Sequence, residues 1–243
     1  MKVLAIDAGN SRIKWGLHDG TRWTRRSSVA TVRAGDLKIA LARLPHCDAV
    51  VISNVAGAAV RKRLLSVLPA APRPHWIKSE RLQCGVRNSY ANPRQLGCDR
   101  WAALIGARQC SRRPLLVTNA GTALTVDALA ADGVFLGGII VPGARLMREA
   151  LAGNTAALKL RPGEAGRFPR TTGDAIMSGV VNALAGAVER SARLLHRRAG
   201  RGPLCLLSGG DAAWLAPYLN LEVRVVDNLV LEGLLAIARD KAR

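Results

Sequence analysis

One strand-turn-strand pattern is written twice in this chain, and the repeat restricts the folds open to it. Val3-Leu4-Ala5-Ile6-Asp7-Ala8-Gly9-Asn10-Ser11 is matched by Leu115-Leu116-Val117-Thr118-Asn119-Ala120-Gly121-Thr122-Ala123. Each copy is an apolar strand closing on an acid or amide, then a turn with a small residue, a Gly and a polar residue, then a second strand. Both second strands run into Asp-Gly, at Asp19-Gly20 and Asp132-Gly133. Asp-Gly between strand-like segments signals a hairpin, because both turn residues accept positive φ. Gly turns joining paired strands present backbone N–H groups to phosphate oxygens. The repeat therefore predicts two related halves closing on a nucleotide.

A length of 243 residues accommodates one large domain or two ordinary ones, and the position of the repeat favours two. The boundary is expected at the Ser111-Arg112-Arg113-Pro114 break, giving halves 1–112 and 113–243. The apolar run before Asp7 is too short for a signal peptide, and nothing approaches the roughly 20 apolar residues of a membrane helix. A cytoplasmic protein without membrane contact is the expectation. Cys47, Cys84, Cys98, Cys110 and Cys205 are odd in number and lack CxxC spacing, so they read as reduced thiols. His18, His46, His75 and His196 do not cluster in sequence as a metal site or triad would.

The formal charge of +19 raises the question of nucleic acid. The basic residues are spread along the chain, however, and no aromatic-basic platform or recognition-helix motif accompanies them. A solvated basic surface that gathers anionic substrates is expected instead, and nucleic acid is not expected as a partner.

Strands are predicted up to Asp7, from Ile13 to Leu17 and around Trp23, then a helix over 34–44, a buried strand at 48–53, a helix over 56–68 and a short strand at His75-Trp76-Ile77. A Pro-rich segment at 69–74 ends the second helix. Residues 90–97 read as a loop, and Asp99 as the N-cap or first-turn residue of a helix reaching about Cys110. The second half repeats strands from Leu115, Leu124 and Val134, followed by a helix after Pro142-Gly143, a long helix over 176–198, a strand at 204–207 and a last helix over 228–239. Strands first, then alternating helix and strand, is the order of a ribonuclease-H-like α/β unit.

Four segments carry candidate chemistry. Asp7, at the end of a buried strand before Gly9, can hold Mg²⁺ through water while the turn holds phosphate, with Asn10 or Ser11 as donors and Lys14 as a point charge. The plain alternative is a hairpin whose Asp and Gly only shape the turn. Asn119-Ala120-Gly121-Thr122 is its partner, with Thr122 a phosphate donor. Ser208-Gly209-Gly210-Asp211 links an apolar strand to a helix and allows close approach of a nucleotide. Gly97-Cys98-Asp99-Arg100-Trp101 offers Asp99 as a base and Arg100 as the partner of an anionic group, or else a helix cap beside a surface ion pair.

Taken in order, these segments resemble the type III pantothenate kinases. The resemblance rests on 7–14, 97–101, 120–127, 138–143, 172–179, 208–211 and 229–234, and so spans essentially the whole chain. It implies the acetate and sugar kinase/Hsp70/actin fold, an α/β architecture of two ribonuclease-H-like halves with mixed sheets flanked by helices. It also implies ATP-dependent phosphorylation of pantothenate to 4′-phosphopantothenate, the first step toward coenzyme A, by a homodimer using Mg²⁺ and a monovalent cation such as K⁺ or NH₄⁺. By position, Asp99 would be the base and Asp7 would organise Mg²⁺. Gly9, Asn10, Ser11, Lys14, Thr122, Gly209 and Gly210 would hold ATP, and Tyr90, Gly97, Cys98, Asp99, Arg100 and Thr172 would meet pantothenate. The family commonly has Asp where this chain has Asn119, the position that helps bind the monovalent cation, so weaker or absent K⁺ dependence is expected. A kinase of the same superfamily with another substrate, or a non-catalytic regulatory protein with a basic surface, remain the alternative readings.

Overall fold

The computed structural model describes residues 1–242 except 43, 69, 156, 157, 159 and 160. Arg43, inside the expected first helix, and Pro69, at the head of the Pro-rich segment, lie outside the described residues. The chain forms two compact units: 1–112 with 133–135 and 228–243, and 113–132 with 136–227. The second unit is therefore not the whole of 113–243, since the C-terminal helix belongs to the first.

In the first unit, β1 (Val3–Ala8), β2 (Arg12–His18), β3 (Trp23–Ala30), β4 (Ala49–Asn54) and β5 (His75–Trp76) form one sheet in the order β3-β2-β1-β4-β5. β1, β2 and β3 pair antiparallel, while β4 and β5 join in parallel. β1 is buried almost throughout, as expected for a strand with neighbours on both sides and helices over it. Leu4, Ile6, Ile13, Trp15, Ile52 and Leu64 are core residues of this unit. α1 (Leu37–Ala42) is shorter than expected and is preceded by a 3₁₀ segment, Thr31–Asp36. The backbone leaves the helical region at Arg33 inside it, and Ala30 offers no side-chain cap, so a full α-helix lacks a start signal there. α2 (Ala58–Val67) follows Gly57 as its N-cap residue.

Two short strands leave no mark in the sequence pattern, β6 (Leu82–Gln83) and β7 (Val86–Asn88). They pair antiparallel, and β7 pairs in parallel with Val134 and Phe135 at the start of β10 (Val134–Pro142). After them comes α3 (Cys98–Cys110), buried along most of its length, which packs on α7 (Leu229–Lys241). The Asn228 side chain caps α7 by accepting the Leu231 N–H at 3.1 Å.

The second unit repeats the plan. β8 (Leu115–Ala120), β9 (Ala123–Leu129), β10, β11 (Leu204–Ser208) and β12 (Val223–Val225) take the order β12-β11-β8-β9-β10. β8 and β9 are antiparallel, and β11 and β12 join in parallel. With β8 in the place of β1, this is the topology of the first sheet. Leu116, Leu124, Val126, Val188, Cys205 and Leu207 are buried in its core. α4 (Ala144–Asn154) and α5 (Thr172–Ala199) follow β10, and the short α6 (Ala212–Leu215) follows β11. Among the described residues, no helix is long and apolar enough to cross a membrane.

Candidate active site

The repeated pattern becomes a repeated register. In the first unit Asp7 stands opposite Lys14 of β2 and beside Ser53 of β4. In the second, Asn119 stands opposite Thr125 of β9 and beside Ser208 of β11. The same backbone position is thus built twice with different chemistry.

Around Asp7 the first unit gathers its titratable groups. The Oδ1 atom of Asp7 is buried and has no hydrogen-bond partner among the described residues, whereas the Ser53 hydroxyl bonds the carboxylate. Burial pushes the Asp7 carboxyl up to about 7, and the Asp99 carboxylate adds to the rise. The Lys14 ammonium and the Ser53 bond oppose it. Asp7 and Asp99 are therefore brought within electrostatic reach of each other although far apart in sequence. A buried acceptor left without a partner is costly, and a cation is what such an oxygen lacks. The turn after Asp7 is closed by Gly9 N–H donating to the Arg12 carbonyl at 3.1 Å, with Asn10 and Ser11 exposed at its tip. Thr31 Oγ1 holds the turn from behind, donating to the Gly9 carbonyl at 2.7 Å.

Asp99 lies in the first turn of α3, and Gly97 takes the cap position. The carboxylate oxygen Oδ1 accepts the Arg100 N–H at 2.8 Å, an N-terminal helix position that favours negative charge. Burial is the larger effect and raises the Asp99 carboxyl; the Arg100 N–H and guanidinium pull it down. Arg100 is only 8% exposed, and its Nη1 lies 3.5 Å from the Tyr90 hydroxyl. Tyr90 packs on Phe135, ring centroids 5.4 Å apart, so both groups at this end of the site are held by packing. Cys98 turns inward, its Sγ 3.4 Å from Ser53 Oγ.

A side chain at Gly97 would displace this carboxylate. A Cβ there would come within 2.6 Å of Asp99 Oδ1, although the backbone of Gly97, at φ −55°, is one any residue adopts. Gly97→Ala is therefore expected to keep the native Tm while lowering kcat roughly 10- to 100-fold, since a displacement near 1 Å has that effect. Steady-state kinetics beside thermal melting checks the split; native kcat would contradict it.

In the second unit, β8 and β11 end against each other. Gly209 has φ +105°, and a Cβ would meet the Ala120 carbonyl at 2.1 Å and Asn119 Oδ1 at 2.6 Å. The amide oxygen of Asn119 thus faces the Gly209 turn, and Asp211 N–H donates to the Ala120 carbonyl at 3.1 Å. Thr122 sits on the neighbouring turn, where its carbonyl accepts Gly143 N–H at 2.9 Å. Gly210 is open, since a Cβ there would meet nothing within 4 Å. Thr172 is exposed in the first turn of α5. Thr171 caps that helix through the Asp174 N–H at 3.2 Å.

The sequence pattern alone places no role on Ser53. The signal it offers is a polar residue ending the apolar run Val50-Val51-Ile52, the same pattern by which Ser208 ends Leu204-Cys205-Leu206-Leu207. Among the described residues, no three His, Cys, Asp or Glu side chains group as a metal site. A divalent ion at Asp7 would accordingly take its other oxygens from phosphate and water, the usual manner of Mg²⁺.

The chain is similar to several known proteins. A protein of Nitrosospira multiformis named type III pantothenate kinase is 49% identical over 239 residues, 98% of this chain and 91% of its own. Among solved structures, a conserved protein of Campylobacter jejuni described as a Baf family transcriptional activator superposes with a TM-score of 0.62 at 20% identity, covering 98% of both chains. Acetate kinase of Porphyromonas gingivalis gives 0.51 at 10% identity, covering 99% of both. These two likenesses show the fold, that of the acetate and sugar kinase/Hsp70/actin group. The family profile described as type III pantothenate kinase matches residues 3–194, and this chain belongs to that family.

Proposed function

We propose that Asp7 and Asp99 carry the reaction of the family, ATP-dependent phosphorylation of pantothenate to 4′-phosphopantothenate, the first step of coenzyme A synthesis. The observation that supports it is the coupled pair itself: two carboxyls in one unit, both raised by burial, one with an orphaned oxygen. Paired carboxyls in separate environments suit separate tasks, metal binding and proton transfer. Asp7, ionised, would hold Mg²⁺, whose charge would offset that on the transferred phosphoryl group. Asp99 accepts the proton of the attacking hydroxyl, and its raised pKa makes it a better base than an exposed carboxylate. Arg100 takes the pantothenate carboxylate, with Tyr90, Gly97 and Thr172 as further contacts, whereas the Cys98 thiol is turned toward Ser53 and away from this role. Gly9, Asn10, Ser11 and Lys14 hold phosphate oxygens, and Thr122, Gly209 and Gly210 serve the nucleotide in the second unit. Purified protein with ATP, Mg²⁺ and pantothenate should yield 4′-phosphopantothenate; its absence would overturn the reading.

Asp7 links activity to pH with a definite sign. A carboxyl raised from 3.8 to about 7 on folding binds its proton more tightly in the native state. Its contribution to stability is therefore present at low pH and is lost as pH rises from near 4 through 7. The metal-free protein should melt at a higher temperature at pH 5.5 than at pH 8, other groups apart. Asp7→Asn should raise the pH 8 Tm while lowering kcat by about 100-fold or more. Melting curves of both proteins at the two pH values check the first part; a lower Tm for the variant at pH 8 contradicts it.

The monovalent-cation site is proposed to be weak. Asn119 supplies a neutral amide oxygen where the family commonly has Asp, so it can ligate K⁺ without the charge that strengthens binding. Activity is expected to depend little on K⁺ or NH₄⁺ in the native chain and more in Asn119→Asp. A strong K⁺ requirement of the native chain would sink the idea. A homodimer is proposed from the family resemblance, and the exposed apolar Ile140 and Phe168, 61% and 85% accessible, fit a surface covered by association. Sedimentation analysis that finds only monomer would reject it.

A further inference from the structure

Ser53 is 0% exposed, yet it lies next to the end of a strand whose buried residues Val50, Val51 and Ile52 are apolar. A buried hydroxyl is unfavourable unless bonded. The Ser53 hydroxyl has two side-chain neighbours, the Asp7 carboxylate beside it in register and the Cys98 thiol at 3.4 Å. Donor and acceptor counts fix the direction of the bonds. Ionised Asp7 only accepts, so the single Ser53 proton goes to it. The lone pairs of Ser53 Oγ are then left for the Cys98 S–H. The Cys98 sulfur in turn accepts the backbone N–H of Asn54. Asp7 Oδ1 has no partner among the described residues, which leaves Oδ2 as the oxygen for the Ser53 bond.

The second unit supplies an internal control. Ser208 occupies the corresponding register beside Asn119 and is also buried, but its hydroxyl donates to the Asp227 carbonyl, 3.4 Å away. A serine at this strand end is thus a feature of the repeat. A serine aimed at a carboxylate and backed by a thiol of α3 belongs to the Asp7 copy.

We propose that Ser53 and Cys98 are positioning residues for phosphoryl transfer: the chain Asn54 N–H, Cys98 S–H, Ser53 O–H pins one oxygen of Asp7, keeps the other open for ligand, and ties Asp7 to the helix turn that carries Asp99. Neither residue touches the reacting atoms in this role. Cys98 is the first residue of α3 and Asp99 the next, so a shift of the thiol moves the metal carboxylate and the base together. The proposal rests on Asp7 being the metal-organising carboxylate.

The experiment compares the full chain with Ser53→Ala, Ser53→Thr, Cys98→Ala, Cys98→Ser, the double variant S53A/C98A, and Asp7→Asn. The readouts are kcat, both KM values, Tm, and the dissociation constant of Mn²⁺ titrated into protein holding a non-hydrolysable ATP analogue. Ser53→Ala should weaken Mn²⁺ binding about tenfold and lower kcat similarly, the usual effect of losing a residue that orients a metal ligand, with both KM values near native. Ser53→Thr keeps the hydroxyl and should recover most of the loss. Cys98→Ser keeps a donor and should lose less than Cys98→Ala. The double variant should match Ser53→Ala alone, because the chain is already cut at Ser53. Native Mn²⁺ affinity and kcat in Ser53→Ala would overturn the proposal, as would losses that multiply in the double variant. A loss that tracks a fallen Tm and is not recovered by Thr would do the same. Where Ser53 variants do not fold, equal activity of Cys98→Ala and Cys98→Ser decides against the chain. Native Mn²⁺ affinity in Asp7→Asn would refute the assignment of Asp7 itself, whereas weakened binding there with none in Ser53→Ala refutes only the chain.

Discussion

Asp99→Asn lowers kcat by about 10²- to 10⁴-fold, the usual worth of a positioned base, with KM for ATP unchanged and Tm at or above the native value. The amide is isosteric, and its oxygen still accepts the Arg100 N–H that the carboxylate accepts at 2.8 Å. Gly97, which leaves room for that oxygen, is unaffected, so the first turn of α3 keeps its shape. What changes is the ability to take a proton and the charge beside Asp7. Burial raises the Asp99 carboxyl, which means that its ionised form opposes folding above the ordinary carboxylate range, and removing it stabilises. The same substitution takes away one cause of the raised Asp7 carboxyl, which should fall below about 7. The acid limb of the residual activity should therefore move to lower pH. A variant with native kcat would leave Asp99 as a helix-turn residue and remove the base from the mechanism. A variant that is inactive because it melts early would instead make Asp99 structural, and the Tm separates the two.

The parts of this site that can be read from sequence are the parts whose chemistry is local. A carboxylate or amide before a small residue and Gly is a turn signal in itself, so both copies of the pattern, and the Gly209-Gly210 turn, are visible without a fold. Elements with a long apolar period are visible as well, as α5 and α7 show. The short strands β6, β7 and β12 are not, because two or three residues carry no period. β3 is marked only at Trp23, yet runs on through Thr24, Arg25, Arg26, Ser27 and Ser28 to Ala30; on an exposed sheet edge nothing demands apolar alternation. Ser53 stays hidden for a different reason. Its role is set by its register against Asp7 and by Cys98, 45 residues away in sequence, and neither relation leaves a trace in the residues around it. The C-terminal helix illustrates the same limit at the level of the units. Its amphipathic pattern is plain, but chain order assigns it to the second half, and only packing assigns it to the first.

That packing yields the second large effect. Gly233→Ala should destabilise the protein by about 3 kcal/mol or more, the upper part of the range for overpacked cores, and lower Tm by roughly 6–12 °C. A Cβ on Gly233 would sit 1.8 Å from the Ala102 carbonyl oxygen and 2.5 Å from its carbon, both backbone atoms of α3 that no rotamer change can move. From the other side, Gly106 of α3 would place a Cβ 2.2 Å from the Leu229 carbonyl and 2.9 Å from the Gly233 N–H group. The two helices thus meet backbone to backbone through a pair of glycines, and one methyl group forces them apart. Because α3 begins with Cys98 and Asp99, the displacement also reaches the candidate base. Activity should fall further than the folded fraction predicts, whereas an exposed control such as Gly179→Ala in α5, where nothing lies within 4 Å of the added atom, should gain a few tenths to about 1 kcal/mol from helix propensity alone. Denaturant melts of the two variants, with kcat measured well below both transitions, check this directly. A Gly233→Ala protein with native stability would mean that α7 does not lie against α3 at this distance, and the placement of Asp99 would have to be explained without it.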